Sequence, residues 1–326
     1  MLKGEKVLIT GATGFLGGHL VTNLLQSEVQ ITAVDKNEPN LPLKALCGDR
    51  VKWVCADIIT DDLSGYFPGV NIVYHLAGSA GQDFKELCKL NVDGTRNVAK
   101  AAVAAGVRRL IHISSAAVCK NPGRGVVRED DVRPSTAYGL SKLKSEEAVR
   151  EICRAKTEYV ILRPTAFFGE HHLGSLHEMV KAIKRGTYVM IGRGGNHMNF
   201  LYVKDLVGIL IQAADELGMA NQIYIVADTP ITLRDFTNLT RKELGFGPVR
   251  FYIPKSIGLA LGVAFDIFGR LWRRRMPLSL SRVLNMTSDA QYSAAKLLGQ
   301  LPIQLEYGIN QGWVNTIKWY KSQDLI

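Results

Sequence analysis

Along its first half the chain alternates short apolar runs with longer stretches of helical periodicity. Residues 7–9, inside KVLIT, form a run with no polar face, the pattern of a strand buried on both sides of a parallel sheet. Similar runs recur at 30–34, 51–55, 71–76, 110–113 and 157–162. Helical spacing fills the gaps, most clearly over 83–105 and 135–155. Strands and helices alternating in this way predict an α/β fold, a doubly wound parallel (Rossmann) sheet. The second half is less regular and reads as a smaller mixed α/β lobe. We therefore expect an α/β domain over 1–165 and a second, smaller lobe over 166–326, with 200–203 and 223–226 as segments able to rejoin the main sheet.

The break after the first strand carries the first chemistry. Glycines are spaced Gly11-x-x-Gly14-x-x-Gly17, with a strand before and a helix after. Gly11 permits a tight turn, Gly14 leaves backbone N–H groups open to a pyrophosphate, and Gly17 lets the helix lie close to the strand. The helix N-terminus then faces the phosphates with its partial positive charge. The second strand ends in Asp35, 18 residues past Gly17, where a carboxylate accepts both ribose hydroxyls of an adenosine. Asp35 favours NAD over NADP, and Lys36 blurs that choice. Asp57, after the third strand, is placed to meet an adenine amine or to serve as a loop acid. The fourth strand ends in His75-Leu76-Ala77-Gly78, whose small residues allow backbone to approach a ligand.

Composition narrows the class. The 326 residues are 47% apolar and carry a formal charge of +10. The charge is dispersed except at Arg273–Arg275, with Arg270 nearby, and no nucleic-acid motif accompanies it, so no nucleic-acid partner is expected. Five cysteines form no C-x-x-C pair, which suits reduced thiols. The N-terminus enters the first strand without a signal peptide, and a cytoplasmic location follows as the expectation. His171, His172 and His177 lack a carboxylate or Cys partner in sequence and read as loop residues, so no metal site is expected.

The helix over 135–155 carries Tyr138 and Lys142, four apart and hence on one face. A phenol is a poor base at neutral pH. A cation about 5 Å away at an effective dielectric near 20 contributes roughly 3 kcal/mol, about two pKa units. Such a Tyr can take a proton from an alcohol while hydride leaves its carbon, or return it to a ketone.

These residues, taken with T-G-A-T-G-F-L-G, N-V-x-G-T from Asn91, Ser114-Ser115 and Leu162-Arg163-Pro164, resemble the extended short-chain dehydrogenase/reductases, the NAD-dependent epimerase/dehydratase group. The resemblance runs over nearly the whole chain. It implies Tyr138 as acid/base, Lys142 on the nicotinamide ribose, and Ser115 on the reacting oxygen; Ser115 fits the last serine before A-x-V better than Ser114. It implies Asn91 as a support for the sheet, and a homodimer built through the helices over 83–105 and 135–155. The candidate cofactor-binding set is Gly11, Thr13, Gly14, Phe15, Leu16, Gly17, Asp35, Asp57, Ile58, Leu76, Ala77, Gly78, Tyr138, Lys142 and Pro164.

Substrate class is where the pattern divides. Nucleotide-sugar members carry an R-D-F segment whose Arg clamps a diphosphate. Here Met198-Asn199-Phe200 stands in its place, with Arg193 and Arg282 as possible substitutes. Gly192-Arg193-Gly194-Gly195-Asn196 looks instead like the G-x-G-x-N segment of 3β-hydroxysteroid and sterol dehydrogenases. A hydrophobic 3β-hydroxysteroid-like or β-hydroxy substrate is the favoured expectation. A nucleotide-sugar 4-epimerase, reductase or dehydratase is the alternative, and a non-catalytic NAD(P)-binding regulator a second one. Ile257, Leu261, Ala264, Phe265, Phe268 and Trp272 recur at helical spacing ahead of the arginines. The stretch is too short to span a bilayer. Segment 256–275 reads as an interfacial membrane contact or substrate gate, or else as a helix buried in the lobe or a dimer contact. Tyr292 and Lys296 repeat the Y-x-x-x-K spacing without a nucleotide-binding half before them, which we read as coincidence inside a K-x-x-G-x-x-P closing segment.

Overall fold

The computed structural model describes residues 2–119, 125–272, 280–289, 291–301 and 305–326. Arg273–Arg275 and Pro302 lie outside the described residues, as do the side chains of Arg270, Trp272 and Arg282. The first half runs β1 (Lys6–Thr10), α1 (Phe15–Leu24), β2 (Gln30–Asp35), α2 (Leu41–Cys47), β3 (Val51–Cys55), β4 (Ile72–His75), α3 (Phe84–Cys88), α4 (Thr95–Ala104), β5 (Arg109–Ile113), β6 (Val126–Val127), α5 (Ala137–Cys153) and β7 (Glu158–Pro164). The second half adds β8 (Ala166–Phe168), α6 (Ser175–Lys184), β9 (Met190–Ile191), β10 (His197–Met198), β11 (Phe200–Tyr202), α7 (Val203–Asp215), β12 (Gln222–Val226), β13 (Ile231–Thr232) and α8 (Leu233–Glu243). It closes with β14 (Tyr252–Ile253), α9 (Lys255–Trp272), α10 (Leu280–Met286), β15 (Gln291–Tyr292), α11 (Ala295–Gln300) and α12 (Gly308–Ser322).

Seven parallel strands form the main sheet in the order β12-β7-β5-β4-β1-β2-β3. Alternate residues feed opposite layers: Val7 and Ile9 pack into one core, and Leu8, with Val34 and Val73, into the other. The chain reverses its direction of winding at β1, so the crevice between β1 and β4 is the place where a doubly wound sheet binds ligands. Register brings the edges level there, with Thr10 opposite both Val34 and His75. Gly11, Asp35 and Leu76 therefore emerge side by side.

Two expectations need correction. Segment 200–203 does not rejoin the main sheet: Phe200–Tyr202 pairs with Ala166–Phe168 in a separate parallel ribbon, whereas Gln222–Val226 does extend the sheet beside β7. Aromatic packing holds the ribbon away, since Phe168 and Phe200 stack into a cluster with Phe236 and Trp313. The span 83–105 is also no single regular helix. A π-helical turn, Lys89–Gly94, sits between α3 and α4 and turns Asn91 into the interior.

Candidate active site

The glycine-rich turn between β1 and α1 is shaped by what a methyl group would strike. Gly11 has φ +70°, and a Cβ there would lie 2.7 Å from the Ala77 nitrogen. At Gly17 a Cβ would lie 2.1 Å from the Gly11 carbonyl oxygen, so α1 can press on the turn only without a side chain. Gly14 is the extended N-cap of α1, and no side chain caps that helix. Its first-turn N–H groups are left for an external acceptor.

At the end of β2, Asp35 ties the turn in place. Its Oδ2 accepts the Thr13 N–H at 3.1 Å and its Oδ1 the Asn37 N–H at 3.0 Å. Asp57 Oδ1 accepts the Ile59 N–H at 2.8 Å, a local loop bond. Both carboxylates line one cleft of about 1080 Å³, together with Gly11, Thr13, Gly14, Phe15, Leu16, Gly17, Ile58, Leu76, Ala77, Gly78, Ser115, Tyr138, Lys142 and Pro164. The candidate cofactor and catalytic residues thus meet in a single crevice.

Thr136 caps α5 by accepting the Gly139 N–H at 3.0 Å, which places Tyr138 in the first helical turn. Ser115 starts a short turn by accepting the Ala117 N–H at 3.1 Å, and its side chain lines the cleft with the Tyr138 phenol. Burial pushes that phenol above its ordinary pKa, and the Ser115 hydroxyl offsets part of the rise. Lys142 is only 4% exposed and lies toward Gly78, where a Cβ would sit 3.6 Å from Nζ. Burial pulls its pKa down to about 8, with Glu146 opposing.

Several supporting side chains find partners that the sequence did not reveal. Asn91 clamps the loop after β4 rather than the sheet itself: Oδ1 accepts the Ser79 N–H at 2.9 Å, and Nδ2 donates to the Ser79 carbonyl and to Ser141 Oγ. Ser141 Oγ donates onward to the Tyr138 carbonyl at 2.8 Å. His75 bridges Thr10 and Thr95 and stacks on His112, ring centroids 5.1 Å apart. Burial and the Lys142 ammonium push His75 down to about 3 and His112 well below its usual value, so both are neutral at pH 7. A polar residue inside an apolar strand was the available signal; its partners, distant in sequence, were not.

The outer end of the cleft is lined by Phe167, Met198, Phe200 and Tyr292, with His197 and Asn199. Asp289 Oδ1 lies 3.1 Å from His197 Nδ1 and accepts the His197 backbone N–H at 2.7 Å. Arg193 is not in this wall: it donates to the Tyr252 hydroxyl at 3.2 Å. Among the described residues no arginine lines the cleft. The histidines expected in a loop diverge, His171 onto Trp319 and His172 onto Phe15, while His177 is no loop residue but lies buried in α6 against Tyr320. Among the described residues no cluster of His, Cys, Asp or Glu is placed to hold a metal ion.

These residues fit a dinucleotide. The glycine cradle admits close backbone approach, α1 offers N–H groups that no side chain caps, and the buried Lys142 ammonium lines the same crevice. The model of the NAD dependent epimerase/dehydratase family matches residues 7–227. An Escherichia coli O157:H7 protein, N-acetyl-alpha-D-glucosaminyl-diphospho-ditrans,octacis-undecaprenol 4-epimerase, is 27% identical over 97% of this chain and 95% of its own. A mouse decarboxylating sterol-4-alpha-carboxylate 3-dehydrogenase is also 27% identical, over 77% of this chain and 72% of its own. The solved UDP-glucuronic acid 4-epimerase from Bacillus cereus, in complex with NAD, superposes with a TM-score of 0.78 at 20% identity, covering 98% of this chain and 99% of that one. The chain therefore belongs to the NAD-dependent epimerase/dehydratase family, as an NAD-dependent enzyme of the extended short-chain dehydrogenase/reductase type.

Proposed function

We propose that the enzyme oxidises a secondary alcohol, or reduces the matching ketone, on a hydrophobic molecule of the 3β-hydroxysteroid or β-hydroxy kind. In this reading Tyr138 moves the hydroxyl proton, Ser115 hydrogen-bonds the reacting oxygen, and Lys142 holds the cofactor ribose. Bound NAD supplies the hydride acceptor. The glycine turn with Thr13, Phe15 and Leu16 takes the pyrophosphate, Asp35 the adenosine ribose, and Asp57 with Ile58 flanks the adenine. Leu76, Ala77, Gly78 and Pro164 line the remaining cofactor path. One observation carries the substrate class: the outer wall sets Phe167, Met198, Phe200 and Tyr292 beside only two polar side chains, His197 and Asn199, and no arginine lines the cleft among the described residues, which leave out the Arg282 side chain. A buried diphosphate needs charge-assisted partners, and this wall offers mainly apolar area.

The competing reading is a 4-epimerase, favoured by the near full-length similarity to an enzyme whose substrate joins a sugar to undecaprenol. Turnover separates the two: a dehydrogenase releases NADH in step with product, whereas an epimerase returns the hydride and releases none. Incubating the enzyme with NAD and, in parallel, sterols, β-hydroxy acids and nucleotide sugars decides the matter. NADH formation only with hydrophobic alcohols supports our reading, and epimerised sugar without NADH overturns it. The same proposal includes a cytoplasmic homodimer joined through α3–α4 and α5, with peripheral membrane contact through 256–275.

A further inference from the structure

Helix α9 turns its apolar side outward. Ile257, Leu261, Val263, Ile267 and Phe268 are all exposed, Ile267 at 53%, and Phe251 just before the helix is 86% exposed. At 100° per residue, the exposed positions from Ser256 to Phe268 cover an arc of about 160°. Among the described side chains that arc carries no charge. The helix's one acid, Asp266, is turned to the neighbouring helix, accepting the Leu280 N–H at 3.0 Å. A water-facing helix of a globular protein shows the opposite arrangement.

The helix is rooted in the substrate end of the cleft. Gly258 packs so tightly on β9 that a Cβ would fall 2.5 Å from Ile191 Cγ2, and β14 pairs with β9 in parallel. The loop after β9 leads directly to the cleft residues His197 and Met198. Asn196 Nδ2 donates to the carbonyls of Met286, at the end of α10, and of Ser288, at 3.0 and 3.1 Å. Leu284 of α10 is 50% exposed as well. The α9–α10 pair thus stands beside the part of the cleft lined by His197, Met198 and Ser288.

We propose that this face lies in the surface of an anionic lipid bilayer, so that the cleft opens toward the membrane and takes an alcohol whose apolar body remains in the lipid. The inference rests on the hydride chemistry proposed for the same cleft. Charge selects the occupant. Arg250 and Lys255 precede the helix's apolar face in the chain, Arg270 and Arg273–Arg275 follow it in the sequence, and the whole chain carries +10. Basic residues flanking an uncharged apolar arc suit acidic headgroups over hydrocarbon, whereas a protein partner also calls for a polar rim.

Flotation of the full chain with vesicles of phosphatidylcholine and phosphatidylglycerol tests it, beside the double variant Ile257→Glu/Ile267→Glu. Neither residue lines the cleft. We expect the parent protein to float with the vesicles and the variant to bind at least tenfold more weakly, with unchanged melting temperature and unchanged NADH affinity by fluorescence titration. Absence of vesicle binding by the parent overturns the proposal, as does equal binding by a correctly folded variant. Loss of self-association in the variant without any vesicle binding by the parent overturns it in favour of a contact between copies of the chain. If the variant fails the melting or NADH controls, the milder Ile267→Ser takes its place under the same criteria. Vesicle binding is read without turnover, so a failed alcohol assay and a failed membrane assay are distinguishable.

Discussion

Glu146 and Arg163 form a doubly hydrogen-bonded ion pair, 2.8 and 2.7 Å, with each side chain 2% exposed. The pair joins α5, which carries Tyr138 and Lys142, to β7. Ser114, next to Ser115, also donates to Glu146, and Arg163 donates to the Glu129 carbonyl at 2.7 Å. Removing one partner strands a charge in the core. Glu146→Ala or Arg163→Ala should each cost about 3–5 kcal/mol of stability in urea denaturation. The double variant Glu146→Met/Arg163→Met should cost far less than the sum, because it leaves no unpaired charge. Additive losses would show that the pair is not coupled.

The phenol of Tyr138 needs only its oxygen to move a proton, while its ring packs against the cleft wall. Tyr138→Phe keeps the ring and removes the oxygen. Turnover should fall by roughly 10²–10⁴, with NADH affinity within about twofold of the parent because the cradle is untouched. Because burial holds the phenol's pKa up, the rate of alcohol oxidation should rise with pH through the alkaline range, and Tyr138→Phe should flatten that rise. Steady-state rates between pH 6 and 10, set beside NADH titrations, check both points.

Gly17 lines the cleft and lies pressed against the glycine turn. A methyl group there would overlap the Gly11 carbonyl at 2.1 Å, and the atoms it would meet belong to the Gly11 and Ala12 backbone, which cannot step aside as a side chain would. Gly17→Ala should therefore push α1 off the turn, costing about 1–3 kcal/mol or more. NADH binding should weaken by more than tenfold. Gly18→Ala makes the control, since a Cβ there meets only Leu43 at 3.8 Å. Equal effects of the two substitutions would remove the basis for the close-packing role.

The main sheet was legible because a parallel strand covered on both faces must be apolar throughout, so Val7–Ile9 and its counterparts stand out without any partner being known. The cofactor edge was legible for a related reason: the turn conformation demands glycine where backbones nearly touch. Other features depend on contacts that periodicity does not encode. Nothing in the spacing of 83–105 announces the π-turn that buries Asn91. A stripe at Ile257, Leu261 and Phe268 reveals a helix with an apolar side, but which way that side faces depends on Gly258 meeting Ile191. The Tyr138–Lys142 spacing was legible as one helical face, and both side chains line the cleft, with the Lys142 ammonium lying toward Gly78.

That position of Lys142 implies a stability cost with a definite pH window. Its pKa falls from 10.5 unfolded to about 8 folded because burial penalises the ammonium. Between those values the unfolded chain binds more protons than the folded one, so unfolding free energy rises with pH. Below about pH 8 both states are protonated and the full cost applies; above about 10.5 both are neutral and it vanishes. The difference amounts to about 3 kcal/mol. Lys142→Met removes the charge while keeping a long apolar stem. In the absence of cofactor, the variant should be more stable than the parent at pH 7, by up to about 3 kcal/mol. The advantage should shrink steadily toward pH 10.5, as read by urea denaturation across that range. Its NADH affinity should fall at the same time, since the ammonium lines the crevice where the ribose is proposed to lie. A variant less stable than the parent at pH 7 would mean that protein groups already compensate the buried charge, leaving no unmet demand for a ligand at that nitrogen.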